Sequence, residues 1–412
     1  MNQKIKMAAV LGALAMTHSI AVLAQSGPAK PQYEIGGGNS TDEDAPRGTQ
    51  VGEGLYVFPY VKLGLGNNDN LFLTNGNEKH SSMSLLNPGL LLEGRRQNQL
   101  YRFFWDSKFG SYQSSSADNY QDHLLRGSGD FIFSSSAGLR LAYDFERGHD
   151  ARGSTDRVFS ATPDRFRNNG ASALFAYGAN QARARIEVEG GVNEKVYTNN
   201  RSSTLFGDRD TGFVRTTAYF RVMPKTSILA EYSYSDLDYA EQTSLLDSKE
   251  KRYMAGLTWE ATVATSGTVK VGRLEKEFSS SLRSDFSGTS WEANVEWKPR
   301  SYSKLDLFAV KTINEASGIG DFILSKRAGA AWTHAWNSRL STVASYTFTQ
   351  DDFLGSNAVR KDEIDNFGVK VNYKLQRWLT LGADYTYTDR DSNISLYRYK
   401  RNLFMLTLGA TL

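Results

Sequence analysis

The sequence has no cysteine, only eight prolines and five histidines, one of them near the N-terminus. The first absence excludes disulfide scaffolds, thiol catalysis and cysteine metal centres, so stability has to come from packing and backbone pairing. Long apolar runs are missing too. After the N-terminal segment nothing approaches the roughly 20 apolar residues of a helical membrane span. Charge of one sign is also scarce: the formal net charge is +3, and Lys4 and Lys6 supply part of it. A balance this near neutrality gives no electrostatic case for nucleic acid as a partner. What is abundant is glycine (36), tyrosine (21) and phenylalanine (22), with seven tryptophans, a β-rich profile.

The chain opens MNQKIKMAAVLGALAMTHSIAVLAQS, two lysines ahead of an apolar run and then small residues, which reads as a Sec-type signal peptide (1–24) cleaved near Ala24 and Gln25. Thr17, His18 and Ser19 interrupt the run, against a membrane anchor. From 25 to 54 the chain is rich in Pro, Gly, Asp and Ser without apolar period and reads as a flexible periplasmic leader.

From 55 to 412 period-2 alternation recurs. In the stretch 181–191, Ala182, Ala184, Ile186 and Val188 alternate with Arg183, Arg185, Glu187 and Glu189, and Gly190 and Gly191 argue against a helix. About 18 such segments follow, each read as the 9–11 residues of a tilted membrane strand. Their connectors alternate in length: short at 95–99, 134–137, 178–181, 223–226, 298–303 and 375–378, long at 67–82, 146–166, 197–210, 237–251 and 350–365. Alternation of this kind predicts an all-β fold, a transmembrane antiparallel up-and-down β-barrel of about 18 strands with short periplasmic turns and long extracellular loops, in the cell outer membrane. A soluble sandwich would need a core able to absorb every aromatic face, and no blade-like repeat marks a propeller. Trp259, Trp297, Trp332, Trp336 and Trp378 all lie beside short connectors, and Tyr143, Tyr232, Tyr234, Tyr385 and Tyr387 lie toward the long ones, as two interfacial girdles require. The chain ends on Leu412, where such barrels commonly end on an aromatic residue.

Signs of catalysis are weak. His80, His123, His149 and His334 are scattered, and no nucleophile motif surrounds the serines, so the chain reads as a non-enzyme without cofactor. Asp69, Asp208, Asp210, Asp389 and Asp391 lack the spacing of a calcium loop and read as turn residues. The charged strand faces are the stronger candidates. Arg102, Asp106 and Lys108, then Arg140, Asp144 and Glu146, then Arg183, Arg185, Glu187 and Glu189 fall on expected inward positions. Arg215, Arg221, Lys270, Glu292, Glu296, Lys370, Lys374 and Asp384 continue the set. Their mixed signs predict a hydrated lumen without strong ion selectivity.

Gly64, Gly66, Asp69, Asn70 and Leu71, the Asn87, Pro88, Gly89 step, and Tyr112, Ser116, Asp118, Tyr120, Asp122 and His123 carry a resemblance. The stretch 56–125 resembles the start of outer-membrane β-barrel proteins encoded with capsule and exopolysaccharide synthesis genes, a second group of β-barrel porins. That resemblance implies an 18-stranded barrel acting in polysaccharide secretion or surface assembly, and it brings no catalytic residues. Asp69, Asn70 and Leu71 are expected to fix a strand-to-loop transition through side-chain bonds to backbone. Three roles follow: conduit or accessory for an exopolysaccharide, general or solute-specific porin with 146–166 folded inward as a constriction, or plugged barrel docking export partners. Expected partners are outer-membrane lipid and lipopolysaccharide, the barrel assembly machinery, an exopolysaccharide, and periplasmic export or synthesis proteins.

Overall fold

The structure, a computed structural model, describes residues 48–157, 160–179, 182–260 and 264–411. The signal peptide, most of the leader and Leu412 lie outside the described residues. Nineteen strands make up most of the described residues: β1 (Thr49–Gly52), β2 (Leu55–Asn68), β3 (Ser81–Arg96), β4 (Gln99–Tyr112), β5 (Tyr120–Ile132), β6 (Ala137–Asp150), β7 (Asp164–Tyr177), β8 (Ala184–Tyr197), β9 (Arg209–Met223) and β10 (Thr226–Tyr239). The second half continues with β11 (Ser248–Trp259), β12 (Thr265–Phe278), β13 (Phe286–Arg300), β14 (Ser303–Glu315), β15 (Phe322–Ala335), β16 (Leu340–Leu354), β17 (Lys361–Gln376), β18 (Leu379–Ser392) and β19 (Tyr399–Thr411).

Each strand from β2 onward pairs antiparallel with its successor, and β19 returns to β2 from Leu403↔Asn68 to Thr411↔Tyr60. Eighteen strands therefore close into a ring in which every ladder has a neighbour on both sides, the condition for β-structure to cross lipid. Alternation decides which side is which. Along β2, Leu63 and Leu65 are 50% and 69% exposed, while Phe58, Tyr60 and Lys62 point the other way. Val192, Val271 and Leu406 are likewise more than half exposed. So much exposed aliphatic surface, distributed round the whole wall, is tolerated only where the surrounding solvent is apolar. Trp297, Trp332, Trp336 and Trp378 stand on the outer face at the short-turn end, and Tyr143, Tyr232 and Tyr385 nearer the other.

Two expectations need correction. The strands run to 12–16 residues, longer than the 9–11 expected, because their upper ends continue past the apolar belt as polar ladders. Outward pairs such as Lys251 and Glu277 at 2.7 Å mark that extension. The loops are correspondingly shorter, at 69–80, 151–163, 198–208, 240–247 and 355–360. The second correction concerns the leader, whose end was expected to be irregular. Thr49–Gly52 instead forms β1, which pairs with Val57, Tyr56 and Leu55 of β2 just beyond the last β19 contact. Here β1 prolongs the line of β19 and supplies partners where the C-terminal strand stops. Gly54, at φ +69°, makes this hairpin possible, since a Cβ there would lie 2.2 Å from the Arg95 carbonyl oxygen.

Candidate functional site

The inward faces form the lumen wall, and the expected residues other than Arg183 stand on inward strand positions. Arg102 lies 3.3 Å from Glu93 and 3.5 Å from Asp130, and Arg140 also pairs with Asp130. Asp144 meets Arg126 at 2.9 Å with both side chains about half exposed, and Glu146 is exposed on the same face. Arg185 bonds Glu187 at 2.8 Å, Glu189 bonds Arg215 at 3.0 Å, and Lys370 lies 3.6 Å from Asp384. Glu296 lies 2.7 Å from Lys298. Lys108 shares the inner face of β4, and Arg221 and Lys374 share those of β9 and β17. Arg183 does not line the lumen: it sits exposed in the turn before β8, its guanidinium 5.3 Å from the Phe220 ring on the outer wall. The alternation of the stretch extended one pair too far because sequence period does not show where a turn ends.

Most of this lining therefore answers itself across neighbouring strands. On the β10 to β13 wall the paired lysines are deeply buried. Lys270, 1% exposed, holds Glu292 at 2.7 Å and Glu231 at 3.2 Å. Lys276, fully enclosed, holds Glu250 at 2.9 Å and Glu315 at 2.8 Å, and the Tyr239 hydroxyl donates to Glu315 at 2.6 Å. Charges this deep persist because their partners and hydrogen bonds are all present.

Glu315 reaches that cluster through a departure from the barrel wall. The β13 and β14 ladder stops at Trp291↔Lys311, where Ser290 Oγ donates to the Lys311 carbonyl at 2.9 Å. Above it, β14 and β15 lean across the lumen. Ile313, Phe322 and Leu324 thereby pack on the inward-facing Leu274, Phe278 and Phe286 of β12 and β13. The loop at their tip, 316–321, meets the loop 151–163 that rises from the wall eight strands away. The Asp156 carboxylate, on a residue 7% exposed, accepts the backbone N–H of Ser317 (2.9 Å), Gly318 (2.8 Å) and Ile319 (3.0 Å). Beside it Arg157 bonds Asp150 at 3.0 Å and Asp164 at 2.9 Å and lies 4.3 Å from the Tyr197 ring. Burial works against the charged guanidinium, but the oxygens of Tyr197, Asp150 and Asp164 outweigh it and hold Arg157 above the ordinary arginine value. On the other side Arg152 reaches Asp118 Oδ1 at 2.7 Å and covers the Phe72 ring at 3.7 Å. One inward loop thus ties together the mouth. Between it and the loops 198–208, 240–247 and 316–321 lies a cavity of about 420 Å³ bordered by Phe206, Thr243, Ser244 and Arg283.

The motif residues are structural. Asp69 accepts the Asn402 backbone N–H at 2.7 Å and its side-chain amide at 2.6 Å. Asn70, wholly enclosed, donates to the carbonyls of Thr74 and Lys400, and Leu71 is buried beneath them. The expected role of this segment, fixing strand to loop through side-chain bonds, is what the geometry shows, and it adds that the bonds close the β2 and β19 seam. Pro88 has no N–H to donate, and the β3 and β4 ladder skips Asn87 and Pro88. The Asn87 amide fills the gap, donating to the Ser107 carbonyl and to Asp106, both at 2.8 Å. Asp106 also accepts the Tyr60 hydroxyl, and Gly89 leaves room for the Tyr60 ring. Asp118 anchors Arg152, as above. Tyr120 stacks on His149 at 4.4 Å beside Tyr112. His123 lies 2.7 Å from Ser107 on the outer wall, where Ser107 is sealed from solvent. Asp208 is engaged by the Tyr197 N–H and Arg201. Among the described residues no three His, Asp or Glu side chains gather as a metal site.

Sequence reasoning missed Asp156 as a clasp and the inward lean of β14 and β15. The loop 316–321 is only six residues long and reads as an ordinary connector. Its one signal is the glycine pair Gly318 and Gly320, the first pressed against Asp156 and Arg157 and the second at φ +77°.

Several solved structures are similar. A BenF-like porin from Pseudomonas fluorescens Pf-5 matches with TM-score 0.49 and 8% identity, over 87% of this chain and 99% of its own. The FrpB iron transporter from Neisseria meningitidis (F3-3 variant) matches with TM-score 0.45 and 10% identity, over 82% of this chain and 62% of its own, so the present chain spans less than two thirds of that transporter. A bacterial polysaccharide outer membrane secretin matches with TM-score 0.37 and 8% identity, over 85% and 98%. No curated protein matches the sequence. The model of the family described as "Putative beta-barrel porin 2" matches residues 44–412, and with the closed 18-strand ring this places the chain in the outer membrane. The chain belongs to that porin family.

Proposed function

We propose that this barrel is a closable outer-membrane conduit for a hydrophilic polymer, a newly made exopolysaccharide, with the long loops outside the cell and both chain ends in the periplasm. The observation that carries this reading is the clasp of Asp156 on the N–H groups of Ser317, Gly318 and Ile319, which joins loops from distant parts of the wall across the mouth. Such a joint costs little to remake and leaves the wall intact when it parts. Below it a lining of alternating donors and acceptors, neutral in sum, suits cargo rich in hydroxyls that must be held weakly at many points. On this reading the signal peptide directs export and periplasmic synthesis proteins deliver the polymer. Deleting the gene should leave polymer in the periplasm or stop its synthesis, as measured by fractionation and surface staining. Undiminished surface polymer in the deletion strain overturns the proposal.

A second reading is a solute-specific porin, favoured by the same in-folded loop 151–163 taken as a permanent constriction. Purified protein in a planar bilayer would then give stable open channels blocked by small solutes.

A further inference from the structure

On the outer face of β6 and β7, just above the apolar belt, three arginines crowd together. Arg147 and Arg167 are direct cross-strand partners, and Arg165 lies two residues further up β7. All three are exposed. On its other side Arg147 is partnered by His123 of β5. Like charges facing each other across a ladder repel, and several outward charges elsewhere on this rim are matched: Lys251 with Glu277 at 2.7 Å, Arg273 with Glu275 at 2.8 Å, Lys400 with Asp389 at 3.2 Å. Here Arg167 meets Glu194 at 3.2 Å, while Arg147 and Arg165 form no ion pair among the described residues. Immediately below, the same face carries Phe145, Tyr143, Ala171 and Ala173. Two strand residues span about 7 Å, so Arg147 and Arg167 stand one such step above Phe145 and Arg165 two steps above it, at the depth of lipid headgroups.

We propose that Arg147, Arg165 and Arg167 form a binding site for the phosphate of a phosphorylated glycolipid in the leaflet around the long-loop end. The planar guanidinium presents paired N–H donors to phosphate oxygens, and one shared anion turns the opposed cations from a liability into a clamp. The lipid's acyl chains then lie along the Tyr143, Phe145 and Ala171 surface.

The test uses the purified full chain in detergent, with lipid A, and with its dephosphorylated form, as probes in native mass spectrometry. The R147Q/R165Q/R167Q variant should lose at least about tenfold in affinity for lipid A, while Arg273→Gln, on the outer face of β12, keeps it. The dephosphorylated lipid should bind the unaltered protein no better than lipid A binds the triple variant. Heat-shifted electrophoresis confirms that each variant is a folded barrel. Retention of lipid A within twofold by the triple variant, or equal binding of the dephosphorylated lipid, overturns the proposal. Competition by inorganic phosphate at the lipid's own concentration overturns the assignment to a lipid.

Discussion

Asp69 does more for this barrel than its place in a polar loop would suggest. Its carboxylate takes two hydrogen bonds from Asn402, on the strand that closes the ring, in the segment where Asn70 fixes the Lys400 carbonyl. Asp69→Ala strands the Asn402 amide and opens the upper seam, and should cost about 1–3 kcal/mol. The expected result is a lower temperature for the heat shift of the folded barrel on semi-native gels, with Asn67→Ala, whose side chain is exposed near the end of β2, unchanged. At this scale the sequence was informative about chemistry and silent about partners. That Asp69 and Asn70 bond to backbone follows from what such side chains do in turns. That the backbone belongs to β19 requires knowing the ring. Arg183 shows the converse limit, a side chain in perfect alternation with Arg185 that lies one step outside the strand.

Among the elements, strand identity and facing were legible almost throughout, because a membrane wall writes its two solvents into every second residue. Loop behaviour was legible only where composition is unusual. Within the Arg and Asp rich segment 146–166, the part around Asp156 does turn inward, whereas the inward lean of β14 and β15 depends on a ladder that stops at Lys311, which no local pattern records. The joint between these two elements makes a direct prediction. Asp156→Ala removes three charge-assisted bonds and should favour the parted mouth by about 1.5–3 kcal/mol, a tenfold or greater rise in its population. In planar bilayers this appears as more frequent or longer conducting events than the unaltered protein gives. Unchanged conductance would mean that the loops hold without their clasp.

For the whole molecule the balance of charge is decisive. The lining pairs Arg or Lys with Glu or Asp from β3 round to β18, so the lumen presents little net field to a passing ion. A reversal potential near zero in a potassium chloride gradient is the expected measurement, and strong preference for either ion would show that unpaired groups dominate the narrowest point. Overall architecture and the outer-membrane setting were readable from period, girdles and connector lengths. Cargo was not, because a wall that answers its own charges leaves few groups dedicated to a ligand.

The seam has a consequence for time as well as for strength. Asp69 and Asn402 are separated by 333 residues, and the stretch of β2 from Tyr60 to Asn68 finds no partner on that side until β19 arrives. Closing so distant a contact is slow unless the ends are held together, so β2 has to be kept from pairing elsewhere while the sixteen strands between them accumulate. The short β1 hairpin already occupies the lower part of that waiting edge, leaving for β19 only the stretch it will finally take. Barrel closure is thereby a single late event with a prepared address.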